Sequence, residues 1–329
     1  IYYFTMSMNE FDLIQNFFNR EKKNRTDVIL GIGDDAALLQ VPLGQQLVVS
    51  TDTLVAGRHF PENTSYADIA YKALAVNLSD LAAMGAEPAW ILLALTLPSV
   101  SEIWLNEFSQ GFFSLMQDFR LQLVGGDMTC GPLSITVQAL GFVPAGTALC
   151  RLGAMPGDRI YVSGTLGDAG LALAYLRKET PLELTQNQIQ RLMQRLNRPK
   201  PRVELGLALR NIATSAIDVS DGLVADLGHI LVANQLGATI QLTDLPLSAS
   251  LQKLSREQAW QLALNAGDDY ELCFTIPASG ETALQQHLKA INSSCTCIGQ
   301  IKKESGLSII REDGSLLALE KTGFQHFMS

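Results

Sequence analysis

The chain has 329 residues, of which 47% are hydrophobic, 17% charged and 7% aromatic, with 24 Lys and Arg against 33 Asp and Glu for a formal net charge of −9. Such a length suits two domains of ordinary size, and the composition supports a sizeable buried core and excludes a disordered chain. An acidic balance with no basic run argues against a nucleic-acid binder, and the longest uninterrupted apolar run, Ala89 to Leu95, is too short to span a bilayer.

The first dozen residues lack the basic start and apolar core of a signal peptide, so a cytoplasmic location is expected. Ile1 to Ser7 precede Met8 and are set aside from the fold reading. Asp12 to Phe18 reads as a short amphipathic helix, and Val28 to Ile32 and Leu47 to Ser50 read as strands. From Tyr66 the pattern is helical and stops near Gly85, with Pro88 beyond, so Asp80 falls inside that helix. Trp90 to Leu97 reads as a strand, Glu102 to Phe119 as a helix opened by Ser101, Leu121 to Val124 as a strand, and Leu133 to Val143 as another.

Turn formers gather at Pro144 to Thr147 and Met155 to Asp158, which predicts a boundary near residues 145 to 155 and domains of 8–147 and 148–329. The second half restarts with strand Arg159 to Ser163 and helix Asp168 to Lys178. Helix Gln186 to Asn197 then stops at Arg198-Pro199. Helices Val203 to Ile212 and Ala225 to Gln235, strand Glu271 to Ile276, helix Glu281 to Ile291 and two closing strands complete the series. Both halves are therefore expected to be α/β in the broad sense, the first closer to α+β.

Five cysteines, an odd and scattered count, suit reduced thiols. The close pair Cys295 and Cys297 has no second pair or histidine beside it and reads as part of a buried strand.

Chemistry is concentrated in six aspartate-bearing segments read as turns: Gly31 to Asp35, Ser50 to Thr53, Asn77 to Asp80, Gly125 to Thr129, Asp218 to Gly222 and Gly267 to Tyr270. One Asp in a glycine-rich turn is ordinarily a turn former or a cap. Six beside apolar segments, with no compensating Lys or Arg, point to bound divalent cations, since a carboxylate near a strand mouth is costly unless neutralised. Gly31-Ile32-Gly33-Asp34-Asp35-Ala36 formally matches a dinucleotide fingerprint, but its two aspartates would repel the pyrophosphate. No G-x-x-x-x-G-K-[ST] motif exists. Magnesium is held by one or two carboxylates together with waters and substrate phosphates, so several such segments suit phosphate handling without a P-loop.

Gly31 to Leu39, Ser50 to Gly57 with His59-Phe60, Lys72 to Ala86, Gly125-Gly126-Asp127 and Ile217 to Leu223 closely resemble the thiamine-monophosphate kinase family, with the likeness running from about Phe11 to Phe327. The resemblance implies a two-domain fold like that of aminoimidazole ribonucleotide synthetase. In that fold an N-terminal ATP- and Mg²⁺-binding domain pairs its mixed sheet in a homodimer, and a C-terminal α/β domain completes the nucleotide and substrate site. It implies phosphoryl transfer from ATP to thiamine monophosphate with several Mg²⁺ ions, K⁺ being left open. By position it places metal ligands at Asp35, Ser50, Thr51, Asp52, Asp80, Asp127, Asp218 and Asp221, and ATP contacts at Gly126, Asp127, Arg151 and Ser220. Substrate contacts fall at His59, Asp268 and Phe324, with Asp35, Asp127, Asp218 and Arg151 taken as catalytic.

Two departures are visible: Asp268 stands where the family usually has Glu, and Phe324 where it often has Trp or Tyr. The residues support the same chemistry independently. An acceptor phosphate with a second pKa of about 6 needs no general base, and an aromatic face with a carboxylate suits the thiazolium cation of thiamine. The rival selenophosphate synthetases need a reactive Cys early in the chain, whereas none precedes Cys130. Hydrogenase maturation proteins use a C-terminal Cys, whereas this chain ends Phe327-Met328-Ser329. A non-catalytic binder of nucleotide or thiamine phosphate would be favoured by loss of acidic segments, and all six are present.

Overall fold

The computed structural model describes residues 9–19, 25–180 and 182–318. The chain divides into two compact units, one of residues 1–77 and 88–142, the other of 78–87 and 143–329. In chain order the first half carries α1 (Glu10–Leu13) with a π-turn at Ile14–Phe18, β1 (Val28–Leu30), β2 (Leu38–Leu39), β3 (Gln45–Val55), α2 (Tyr66–Ala83), β4 (Glu87–Leu97), α3 (Glu102–Asp118), β5 (Gln122–Cys130) and β6 (Ser134–Pro144). The second carries β7 (Arg159–Ser163), α4 (Asp168–Leu176), α5 (Gln186–Asn197), α6 (Val203–Leu209), β8 (Ser215–Val219), α7 (Leu223–Asn234) and β9 (Gly237–Gln241). It ends with α8 (Arg256–Asn265), β10 (Glu271–Ile276), α9 (Glu281–Ala290), β11 (Cys295–Lys302) and β12 (Gly306–Ile310).

In the first unit the sheet order is β3-β6-β4-β5, with β4 and β5 parallel. Ser101 caps α3 by accepting the Trp104 N–H, as its place before the helical pattern predicts. Trp104, Phe108 and Phe112 recur every fourth residue, so they lie on one face and stack with centroids 4.6 and 6.0 Å apart. Where α3 crosses α2, a Cβ on Gly111 would overlap the Ala67 backbone, so the two helices touch main chain to main chain.

The second unit is built on a six-stranded sheet in the order β12-β9-β11-β7-β10-β8, antiparallel except for the parallel pair β12 and β9. Leu223, Leu227 and Ile230 of α7 and Leu264 of α8 join Ile160, Val162, Val219 and Ile240 of the strands in one buried cluster. This is the two-part mixed α/β architecture the pattern predicts.

Three differences bear on the site. Ser50 to Thr53 lies inside the eleven-residue β3, and Gly125 to Thr129 lies inside β5, so neither is a turn. Strand β8 ends just before the Asp218 loop closes, which makes Asp218 a strand residue. Finally, β9 and α8 lie in a stretch that the apolar pattern leaves blank. The capping box Ser255/Gln258 of α8 was the readable signal there.

Candidate active site

A cavity of about 1050 Å³ in the first unit gathers the clearest part of the site. The β1–β2 loop brings Gly33, Asp34 and Asp35 to it, and β5 brings Gly125, Gly126 and Asp127. In the loop the Asp35 N–H donates to Asp34 Oδ1 at 2.8 Å, which fixes the first carboxylate locally. Asp127 is placed by its strand: the register of β5 against β4 shifts between Ile91 and Leu92, so Gly125, Gly126 and Asp127 pair with Leu92, Leu93 and Ala94. Gly126 has φ 156° and a Cβ there would overlap the Leu93 carbonyl, so only glycine lets the strand pass at that distance.

Asp12 also lines this cavity, in a local capping exchange with Asn9, and among the described lining residues there is no Lys, Arg or His. Four carboxylates with no lining cation create a negative field and offer only hard oxygen donors. Among the described residues no three His, Cys, Asp or Glu side chains are grouped closely enough to hold a metal by themselves. Magnesium does not require that, because it keeps waters and shares its remaining shell with phosphate oxygens. The donor set therefore fits Mg²⁺ accompanied by a phosphorylated ligand.

Along β3, side chains alternate between faces, so Ser50 and Asp52 share the face of buried Leu54 while Thr51 and Thr53 share the exposed face. Thr51 Oγ1 accepts from Gln138 Nε2 at 3.1 Å and Thr53 Oγ1 meets Thr136 Oγ1 at 2.9 Å. The Thr51 side chain is thus on the opposite face from its two neighbours in the expected ligand set. The Asp52 N–H donates to Oδ1 of fully buried Asn77, whose Nδ2 donates to the Ala73 carbonyl of α2. His59 accepts the Val55 N–H on Nδ1 at 3.0 Å, closing the turn after β3. The local capping role open to a loop histidine is therefore realised on one of its ring nitrogens.

The second unit holds the remaining candidates. Ser79, next to half-buried Asp80 on α2, donates to Asp218 Oδ2 at 2.7 Å, and Asp218 on β8 is buried. The loop after β8 carries Ser220 and Asp221, both half-buried, before α7 begins. Gly267, Asp268 and Tyr270 all take positive φ, 71°, 58° and 49°. For Asp and Tyr that left-handed backbone is strained, and such strain gathers at functional positions. It is held by two main-chain bonds, Asp268 N–H to the Ser220 carbonyl and Tyr270 N–H to the Val219 carbonyl, each 2.8 Å. Tyr270 Oη also donates to Asp268 Oδ1 at 3.2 Å.

Between the strained residues, Asp269 is buried and accepts the Gly167 N–H on both oxygens. Burial drives its carboxyl well above the ordinary range, although the Gly167 N–H and the Arg195 charge work the other way. Fully buried Glu271 accepts the Arg202 fork at 2.6 and 2.5 Å and pairs with Arg195 at 3.0 Å. Arg151 is exposed, and its carbonyl accepts from Asn234 Nδ2 at 2.8 Å, while Asn234 Oδ1 accepts the Gly153 N–H. Phe324 lies outside the described residues.

Sequence reasoning missed Asn77, which ties β3 to α2, and Asp226, which accepts from the Ser220 to Gly222 loop. Asp226 was readable only as an acidic residue in the first turn of a helix. Burial pushes its carboxyl up to about 7, with the loop amides acting in the other direction.

Two family models match the chain. That described as AIR synthase related protein, N-terminal domain, matches residues 33–143, and that described as AIR synthase related protein, C-terminal domain, matches residues 155–312. The thiamine-monophosphate kinase of Escherichia coli (strain K12) is 52% identical over 324 residues, which are 98% of this chain and 99% of that protein. Among solved structures, thiamine-monophosphate kinase from Stenotrophomonas maltophilia K279a superposes with a TM-score of 0.83 at 48% identity, over 89% of this chain and 93% of that one. AaThiL complexed with AMPPCP and TMP superposes with a TM-score of 0.75 at 30% identity, over 98% of this chain and 100% of that one.

Proposed function

The chain belongs to the thiamine-monophosphate kinase family, and from that premise we propose that it transfers the terminal phosphoryl group of ATP directly, in line, to thiamine monophosphate, giving thiamine diphosphate and ADP. The observation that carries this proposal is the cavity lined by Asp34, Asp35, Gly126 and Asp127, with no Lys, Arg or His among its described lining residues. A site so charged suits a triphosphate only when Mg²⁺ accompanies it. When bound, several Mg²⁺ ions would neutralise charge on the transferring phosphoryl group; Asp35, Asp52 and Asp127 of the first unit and Asp80, Asp218 and Asp221 of the second would supply the carboxylates, one or two to an ion. The Ser50 hydroxyl and the Thr51 carbonyl would complete the shells.

The chain's own groups supply alignment. The bare main chain at Gly126 accepts close approach of the nucleotide, Arg151 offers a guanidinium fork for phosphate oxygens, and Ser220 contributes a hydroxyl. Asp268 and Phe324 suit the thiazolium cation, and the imidazole of His59, held beside the end of β3 by the Val55 N–H, suits the monophosphate. The acceptor phosphate is its own nucleophile, so no general base is assigned.

We further assign the protein to the cytoplasm. Among the described residues no helix is long and apolar enough to cross a membrane. A homodimer through the first unit is supported by β3, an edge strand of eleven residues with Leu47, Val49 and Val55 exposed at 42%, 50% and 39%.

The test is ADP release measured with thiamine monophosphate, with thiamine, and with Mg²⁺ omitted, K⁺ being varied in the same assay. Release that depends on both thiamine monophosphate and Mg²⁺, with thiamine diphosphate as product, is the expected result. Binding of both ligands with no ADP would sink the proposal.

A further inference from the structure

Ser220 and Asp221 have assigned roles, but a loop between a strand and a helix does not hold two ligands still by itself. The backbone N–H groups of Ser220, Asp221 and Gly222 all donate to one atom, Asp226 Oδ2, at 3.0, 3.0 and 3.1 Å. Consecutive amides that converge on one point at a helix N-terminus form a nest, the arrangement that elsewhere binds phosphate. Here the nest is filled from within by a side chain that is only 2% exposed.

We propose that the Asp226 carboxyl is a built-in acceptor that positions the Ser220–Gly222 loop, occupying its amides so that they are closed to phosphate and the loop acts only through the Ser220 hydroxyl and the Asp221 carboxylate. The remaining geometry agrees. The acceptor side of the same loop is fixed separately, the Ser220 carbonyl taking the Asp268 N–H at 2.8 Å. Gly222, at φ 116°, is pressed so close to the Asn265 main chain that a Cβ would sit 2.9 Å from its carbonyl carbon. Asp226 thus anchors all three amides from the donor side. An ordinary cap satisfies one or two amides from the residue before the helix, whereas this carboxylate reaches back from inside α7 to three.

This deepens the kinase proposal and rests on it only for its kinetic readout. The experiment compares the full chain with Asp226→Ala and Asp226→Asn. Amide hydrogen exchange in metal-free protein should be roughly tenfold or more faster at residues 220–222 in Asp226→Ala, with the β10 and β11 amides unchanged. Mn²⁺ binding to the nucleotide-free protein should weaken, and the Mg²⁺ concentration for half-maximal rate should rise about tenfold, with kcat recovering at high Mg²⁺. Formate, which fits the vacated nest, should restore both the protection and the Mg²⁺ response of Asp226→Ala. A merely structural residue would lower the melting temperature and the rate with no recovery by either Mg²⁺ or formate, and that result would overturn the proposal. So would unchanged exchange at residues 220–222 in both variants. If Asp226→Ala does not fold, Asp226→Asn, which keeps an oxygen for the amides and loses the charge, gives the exchange and Mn²⁺ comparisons. Failure of the kinase proposal would show separately, as absence of ADP release by the unaltered protein.

Discussion

Asp127 reaches its cavity because the residue before it has no side chain. Gly126 lets β5 pass against the Leu93 carbonyl, and the register shift against β4 then sets the carboxylate at the rim with Asp34 and Asp35. We expect Asp127→Ala and Asp35→Asn each to abolish turnover while unfolding stays cooperative, since removing an exposed carboxylate from an acidic group relieves repulsion. Urea unfolding and ADP release measured on the same samples check this, and a near-normal rate at limiting Mg²⁺ would make that residue structural. Asp268 requires a different control because its φ is 58°. Asp268→Asn tolerates that backbone and removes only the charge, so it should raise KM for thiamine monophosphate severalfold and leave KM for ATP nearly unchanged. An unaltered KM would remove Asp268 from the substrate site. At this scale the sequence displays residue types clearly and contacts poorly. Nothing in the spelling of Asp226 distinguishes it from an ordinary acidic residue in a first helical turn, because its role arises from where three amides point.

Elements explain why some of the expected turns are not turns. Glycine and polar residues in Ser50–Thr53 and Gly125–Thr129 read as breaks, yet β3 and β5 run through them, sheet pairing having overridden local propensity. Alternation along β3 then separates Thr51 from Ser50 and Asp52, which a list of positions cannot reveal. Periodic helices were legible: α3 carries its apolar face and its Ser101 cap in plain view, and α5 begins and ends where the pattern says. Invisible in sequence was the contact of Gly111 with Ala67, since a glycine inside a helix looks like a weak point. Ala at position 111 would improve helix propensity by about 1 kcal/mol. The added methyl must nonetheless displace the α2 main chain, an overpacking cost of about 1–3 kcal/mol. Gly111→Ala should therefore be destabilising on balance or at best neutral by urea unfolding, and a clear gain of stability would show that the two helices have room.

For the molecule as a whole, the proposed dimer rests on a sheet edge. An eleven-residue edge strand with exposed Leu47, Val49 and Val55 is a liability in a monomer. Sedimentation equilibrium should give twice the 35.7 kDa chain mass, and Val49→Lys should shift the population toward the single chain. A monomer in both cases would remove the dimer. The sequence by itself determined the fold class, most of the regular elements and the kinase family, because periodicity, turn chemistry and long acidic motifs are all local along the chain. The tertiary structure alone decided which aspartates share a cavity, which face of β3 each hydroxyl takes, and that one carboxylate of α7 fills the nest at its own entrance. Those outcomes depend on strand register, on close main-chain approach at Gly126 and Gly111, and on the direction of backbone N–H groups, quantities fixed by packing between residues remote in sequence.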